Sequence, residues 1–188
     1  MEKECANGDC DFLLSVGDNF YLEGVLDAED SRFQATFEDV YGKTSNKETL
    51  KNLDFWQVQG NHDHRGNATA QVVYSEERET SFKMPYFWYS FKIEKSKDLT
   101  MTVIMIDTMI LMGNRETEQL PNYDTFDYRE EHKKWLEKEL QACATTYCLV
   151  FGHHPVFTIG IHGPSGYLVE WLKPLMEENF VTALYVIF

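Results

Sequence analysis

Phe12-Leu13-Leu14-Ser15-Val16-Gly17-Asp18-Asn19-Phe20-Tyr21 opens as an apolar, strand-like run and closes on a glycine followed by a carboxylate, an amide and a phenol. A short apolar run stopped by glycine reads as a buried strand, with the polar groups at its end. The same order recurs twice. Residues 55–59 lead into Gly60-Asn61-His62-Asp63, and residues 147–151 lead into Gly152-His153-His154-Pro155. Three such turns, far apart in sequence, predict oxygen and nitrogen donors converging on one edge of a sheet.

The intervening sequence supplies the other elements. Residues 31–41 read as a helix presenting Phe33, Phe37, Val40 and Tyr41, with Ser31 as its cap. Residues 86–93 and 100–106 read as strands joined by the polar loop 94–98. A helix over 130–143 turns Trp135, Leu136, Leu140 and Cys143 inward, and a helix over 166–178 is kinked or restarted at Pro174. Residues 181–188 read as a last strand. Mixed strands and helices favour an α/β fold. His132 stands beside Glu130, Glu131 and Lys133 and reads as solvated; His64 reads as a cleft or a surface residue. The four tryptophans read as core.

The 188 residues fit one domain, and the formal charge of −14 argues against nucleic acid as a partner. A phosphorylated substrate would need a local cation to reverse that field, and bound metal does so. No stretch is long enough to span a membrane, and Met1-Glu2-Lys3-Glu4-Cys5 lacks the character of a signal peptide. Asn67-Ala68-Thr69 is an N-glycosylation sequon. Cys5/Cys10 and Cys143/Cys148 are compatible with free buried thiols, and the second pair also with a local disulfide.

Asp18 can bridge two cations through its two oxygens. Tyr21 can turn back to the same ion, but a phenol titrates near ~10 and binds as phenolate only beside a strong Lewis acid. Ferric iron fits that better than magnesium or calcium. Asn61 adds a neutral oxygen, and His62 a metal-binding nitrogen or a proton for a leaving group. Asp63 is expected to orient the His62 ring. Of the two adjacent histidines, His153 is expected at the metal edge and His154 toward the substrate cleft.

On these blocks the chain resembles the purple acid phosphatases of the metallophosphoesterase superfamily, in particular the small, single-domain, tartrate-resistant type. Gly60 to Asn67, Ile106-Asp107-Thr108, Gly152 to Phe157 and His162-Gly163-Pro164 carry the resemblance together with the opening stretch. It implies a metallophosphoesterase-like β-sandwich flanked by helices and a centre of two iron ions, ferric plus ferrous or another divalent metal. Asp18 would bridge, Tyr21 would bind the ferric ion and give a purple colour, and Asn61 and His153 would bind the second ion. His62 and His162 would be catalytic, contacting the phosphate or the leaving group of a phosphate monoester. The sequon at Asn67 is similar to one in this group and implies an N-glycan. The family also carries Gly-Asp-x-Gly near its start and Gly-His-x-His near the end of its site, and neither occurs here. The chain is accordingly expected to be a single domain (1–188) truncated at both ends, inactive by itself, its full-length parent secreted or lysosomal. A non-catalytic scaffold on the same fold is the alternative.

Overall fold

The computed structural model describes residues 1–8, 10–160 and 163–186. β1 (Phe12–Val16), β2 (Asp54–Val58) and β3 (Phe82–Lys83) form a parallel sheet in that order. β4 (Tyr89–Ser96), β5 (Leu99–Met105), β6 (Tyr147–Gly152) and β7 (Ala183–Val186) form a second sheet. Within it β4 and β5 are an antiparallel hairpin, and β6 and β7 add in parallel.

Strand alternation decides how the layers pack. Trp56 points at the second sheet and stacks on Phe91 of β4, with ring centroids 4.4 Å apart. Its neighbour Phe55 points away and meets Phe37 edge-on at 5.4 Å. In β5, Val103 and Met105 belong to the core shared with the first sheet. Ile104 joins a second core with Leu136 and Leu140 of the helix Tyr128–Gln141 and with Leu168 and Leu172. The result is two sheets flanked by helices.

Several local expectations are corrected. The helix expected over 31–41 contains a π-helical segment, Phe33–Glu38, and gives way to a turn that leaves Val40 exposed. The Glu38 carboxylate accepts the Lys43 N–H at 2.8 Å, folding the chain back on itself. The helical run 166–178, by contrast, changes at Pro174 as expected, a π-helical segment giving way to the α-helix Lys173–Glu178. Its π-turn Leu168–Leu172 sits just before Pro174, which has no N–H to donate and whose ring would crowd a tighter turn. The 94–98 loop shrinks to a two-residue turn at Lys97-Asp98.

His132 is fully buried, not solvated, with its ring stacked on Trp88 at 4.4 Å and 8°. Tyr128, His132, Leu136 and Leu140 form one stripe at i, i+4 spacing, and that stripe faces inward whatever the charges beside it. His64 is likewise buried. Both cysteine pairs are disulfides, Cys5–Cys10 and Cys143–Cys148. Among the described residues no helix is long and apolar enough to cross a membrane.

Candidate metal and phosphate site

β1 and β2 run in parallel, so the turns that follow them emerge side by side. Asp18 stands at the centre with φ +54°, a left-handed conformation that aspartate tolerates better than most residues. Its Oδ2 accepts the Tyr21 hydroxyl at 2.8 Å, and its Oδ1 accepts the His62 backbone N–H at 3.1 Å. From the second sheet, His153 brings Nε2 to 3.4 Å from Asp18 Oδ1 and 3.2 Å from Asn61 Oδ1.

The tautomer of His153 follows from its other nitrogen. Nδ1 lies 2.8 Å from the Val16 carbonyl, which can only accept. Nδ1 therefore carries the proton, and in the neutral ring Nε2 presents a lone pair to two oxygens. Lewis bases aimed at one another in this way are a donor set suited to a cation. Among the described residues no group of three or more His, Cys, Asp or Glu side chains could hold a metal ion. The convergent set here is different, being one carboxylate, one imidazole, one amide and one phenol.

Two glycines make the convergence sterically possible. A Cβ on Gly60 would stand 2.2 Å from Asp18 Oδ1 and 2.8 Å from His153 Nε2. One on Gly17 would stand 2.6 Å from His153 Nδ1.

Asp63 does not orient the His62 ring. Its Oδ2 accepts the Gly60 and Asn19 N–H groups at 2.9 and 3.0 Å, and its Oδ1 accepts the Phe20 N–H at 3.1 Å and Gln71 Nε2 at 2.8 Å. Burial raises its pKa, against the hydrogen bonds from Gly60, Asn19 and Gln71. Asn19 completes the brace by donating to the Val58 carbonyl and Gln71 Oε1 at 2.8 and 3.0 Å. The His62 ring is held instead by the Leu22 carbonyl at Nδ1 and by Tyr21, 4.5 Å away between centroids. His62 Nε2 lies 4.0 Å from Asp18 Oδ2.

Burial, the hydrogen bond to Asp18 and the charges of Asp18 and Asp63 push the Tyr21 phenol up to about 12. His154 Nδ1 is 2.8 Å from the Thr108 hydroxyl. Burial and the adjacent His153 push His154 down to about 4. Beneath the site, His64 Nε2 and Asp107 Oδ2 form a fully buried pair at 2.7 Å. Burial opposes the charge on both, yet their mutual attraction raises the His64 pKa and lowers that of Asp107. Asp107 also caps the helix Thr108–Met112, its Oδ1 accepting the Ile110 N–H at 3.0 Å.

Asp18, Tyr21, Asn61, His62 and His153 thus share one neighbourhood, while His162 lies outside the described residues. Sequence reasoning missed Asn19 and Gln71. Asn19 carried a signal, being an amide directly after the Asp18 turn; Gln71 carried none, because its role depends on how a helix docks.

No family model matches the chain. It is 41% identical over 177 residues to tartrate-resistant acid phosphatase type 5 of Rattus norvegicus, a match covering 92% of this chain and 53% of that protein. It is 31% identical over 187 residues to purple acid phosphatase 7 of Arabidopsis thaliana, covering 95% of this chain and 53% of the relative. The chain therefore spans about half the length of these curated relatives. Among solved structures it resembles GAP50, described as the anchor in the inner membrane complex of Plasmodium. That match has a TM-score of 0.81 and 25% identity, and it covers 97% of this chain and 57% of that one.

Proposed function

We propose that, over the half of these relatives that it spans, the chain is a purple acid phosphatase domain and serves the hydrolysis of phosphate monoesters at a metal centre. The observation that carries this reading is the convergence of His153 Nε2 on Asp18 and Asn61, beside the Tyr21 hydroxyl. Asp18, Tyr21, Asn61 and His153 would hold the metal. A carboxylate and a phenol suit a ferric ion, and an amide and an imidazole suit a ferrous or other divalent one. Such a centre supplies the positive charge that draws a phosphate into an acidic protein and acidifies nearby water.

The chain's own groups do the rest. Asp63 fixes the backbone of Asn19, Phe20 and Gly60, so the donor turns keep their spacing. Nδ1 of His62 faces the Leu22 carbonyl, which reserves Nε2 to hold or release a proton toward the leaving oxygen of a bound ester. His162 is proposed for the same side on the family resemblance. Two disulfides and an exposed Asn67 favour a secreted or lysosomal setting with an N-glycan at that residue. The likeness to GAP50 supports a second reading, an anchoring protein that uses the fold without the chemistry.

The test is hydrolysis of p-nitrophenyl phosphate by the iron-loaded chain and by the chain extended with the Gly-Asp-x-Gly and Gly-His-x-His blocks of its relatives. Colour and turnover in the extended protein, both lost on Asp18→Asn, are expected. An extended protein that binds iron and hydrolyses no phosphate monoester would favour the anchoring reading.

A further inference from the structure

We propose that Arg65 selects phosphate esters whose leaving group carries an anion of its own, a carboxylate or a second phosphoryl. This rests on the phosphatase reading above. Arg65 directly follows the helix Asn61–His64 and is exposed. Its Nη1 lies 3.2 Å from His62 Nδ1. With its proton turned to the Leu22 carbonyl that nitrogen cannot accept from Arg65, so the guanidinium keeps its donors for a further partner. Arg32 pairs with Asp30, and Arg78 with Glu29. Among the described residues no carboxylate stands in such a position against Arg65, although the sequence holds 31 acidic side chains to 17 basic ones.

Arg65 borders a cavity of about 400 Å³ together with Asn61, Met112, His154, Pro155 and Ser165. Asn61 ties that cavity to the donor cluster through its contact with His153. The described lining contains no carboxylate, in a protein of net charge −14. Ser165 caps the helical run 166–178, its Oγ accepting the Leu168 N–H at 3.4 Å. The positive end of that helix therefore abuts the same space. On its far side Arg65 borders a second cavity that includes Glu116. An anion is repelled there and welcomed on the side of Asn61 and His154. A phosphate held beside Asn61 and His62 would extend its leaving group into this cavity. The planar guanidinium can then take a carboxylate or phosphoryl in two parallel hydrogen bonds.

The test is calorimetric binding of three non-hydrolysable phosphonates to the full chain and to Arg65→Gln and Arg65→Lys. Propylphosphonate has a neutral tail, phosphonopropionate a carboxylate, and ethylene bisphosphonate a second phosphonate. At least one anionic probe is expected to bind about tenfold tighter than propylphosphonate. That ratio is expected to fall to near one in Arg65→Gln and to an intermediate value in Arg65→Lys. Preference for phosphonopropionate alone identifies carboxylates as the selected anion, and preference for the bisphosphonate alone identifies a second phosphoryl. A ratio near one in the unaltered protein, or one that survives Arg65→Gln, overturns the proposal. So does equal weakening of all three probes, which would make Arg65 a positioning residue for His62. If no phosphonate binds to the chain at all, this selection is overturned, while the phosphatase reading is still decided by turnover in the extended protein.

Discussion

His153 Nδ1 lies 2.8 Å from the carbonyl of Val16, a contact that spans 137 positions of the chain. It joins the end of the second sheet to the end of β1 and fixes which nitrogen faces Asp18. His153→Ala is expected to weaken binding of a divalent probe such as cobalt at least about tenfold. Titration calorimetry reads this directly. Equal affinity in both proteins removes His153 from the donor set.

Tyr21 cannot ionise unaided near neutral pH, because its surroundings push it up to about 12. A phenolate there needs a strong Lewis acid. Iron-loaded protein is expected to show a visible absorption band that Tyr21→Phe abolishes. A band of equal strength in the variant would assign the colour to another group.

Gly60 has ordinary backbone angles, so its constraint is steric. Gly60→Ala drives a methyl into Asp18 and His153. A stability loss of about 1–3 kcal/mol is expected, by urea titration, from strain of this kind. Metal affinity should fall as well, since the two donors are pushed apart. A variant with unchanged stability and affinity would mean that the turn yields freely.

The buried His64–Asp107 pair should behave asymmetrically. Removing one partner by His64→Leu strands a buried charge and is expected to cost about 3–5 kcal/mol. His64→Leu combined with Asp107→Leu should recover most of that loss. A residue of about 1 kcal/mol should remain, because Asp107 also caps the helix Thr108–Met112. Denaturant unfolding of both variants measures the difference, and additive losses would disprove the coupling.

Burial holds His132 down to about 3, whereas an unfolded chain protonates the ring near ~6.5. Between those values the unfolded state binds the extra proton, so stability falls as pH drops below ~6.5. The slope from this one group approaches ~1.4 kcal/mol per pH unit. His132→Phe keeps a ring against Trp88 and removes two buried nitrogens that have no hydrogen-bond partner among the described residues. The variant is expected to be the more stable at pH 5, with a flatter stability curve between pH 4 and 6. An unchanged slope would assign the acid sensitivity elsewhere.

Apart from the short β3, the strands and the glycine turns were legible because burial and the glycine stop are local signals, and β1 has the bounds read from its sequence. The convergence of Asp18, Tyr21, Asn61, His62 and His153 was legible from the repeated order of strand, glycine and donor. What escaped was decided by docking. His132 looked solvated among Glu130, Glu131 and Lys133, yet the orientation of its helix buries it. Asp63 looked like a partner for the neighbouring ring, yet the turn points its carboxylate at the backbone of another loop. The helix Ala68–Glu77, which carries Gln71, was not anticipated because its apolar positions make no clear stripe.

The carboxylate of Asp63 has a wider effect than any single hydrogen bond in its surroundings. It grips the turn after β1, the turn after β2 and the helix Ala68–Glu77 at once. Neither turn can drift from the other without abandoning a desolvated anion. An ion taken up at the proposed centre would therefore meet turns whose spacing this brace has already set.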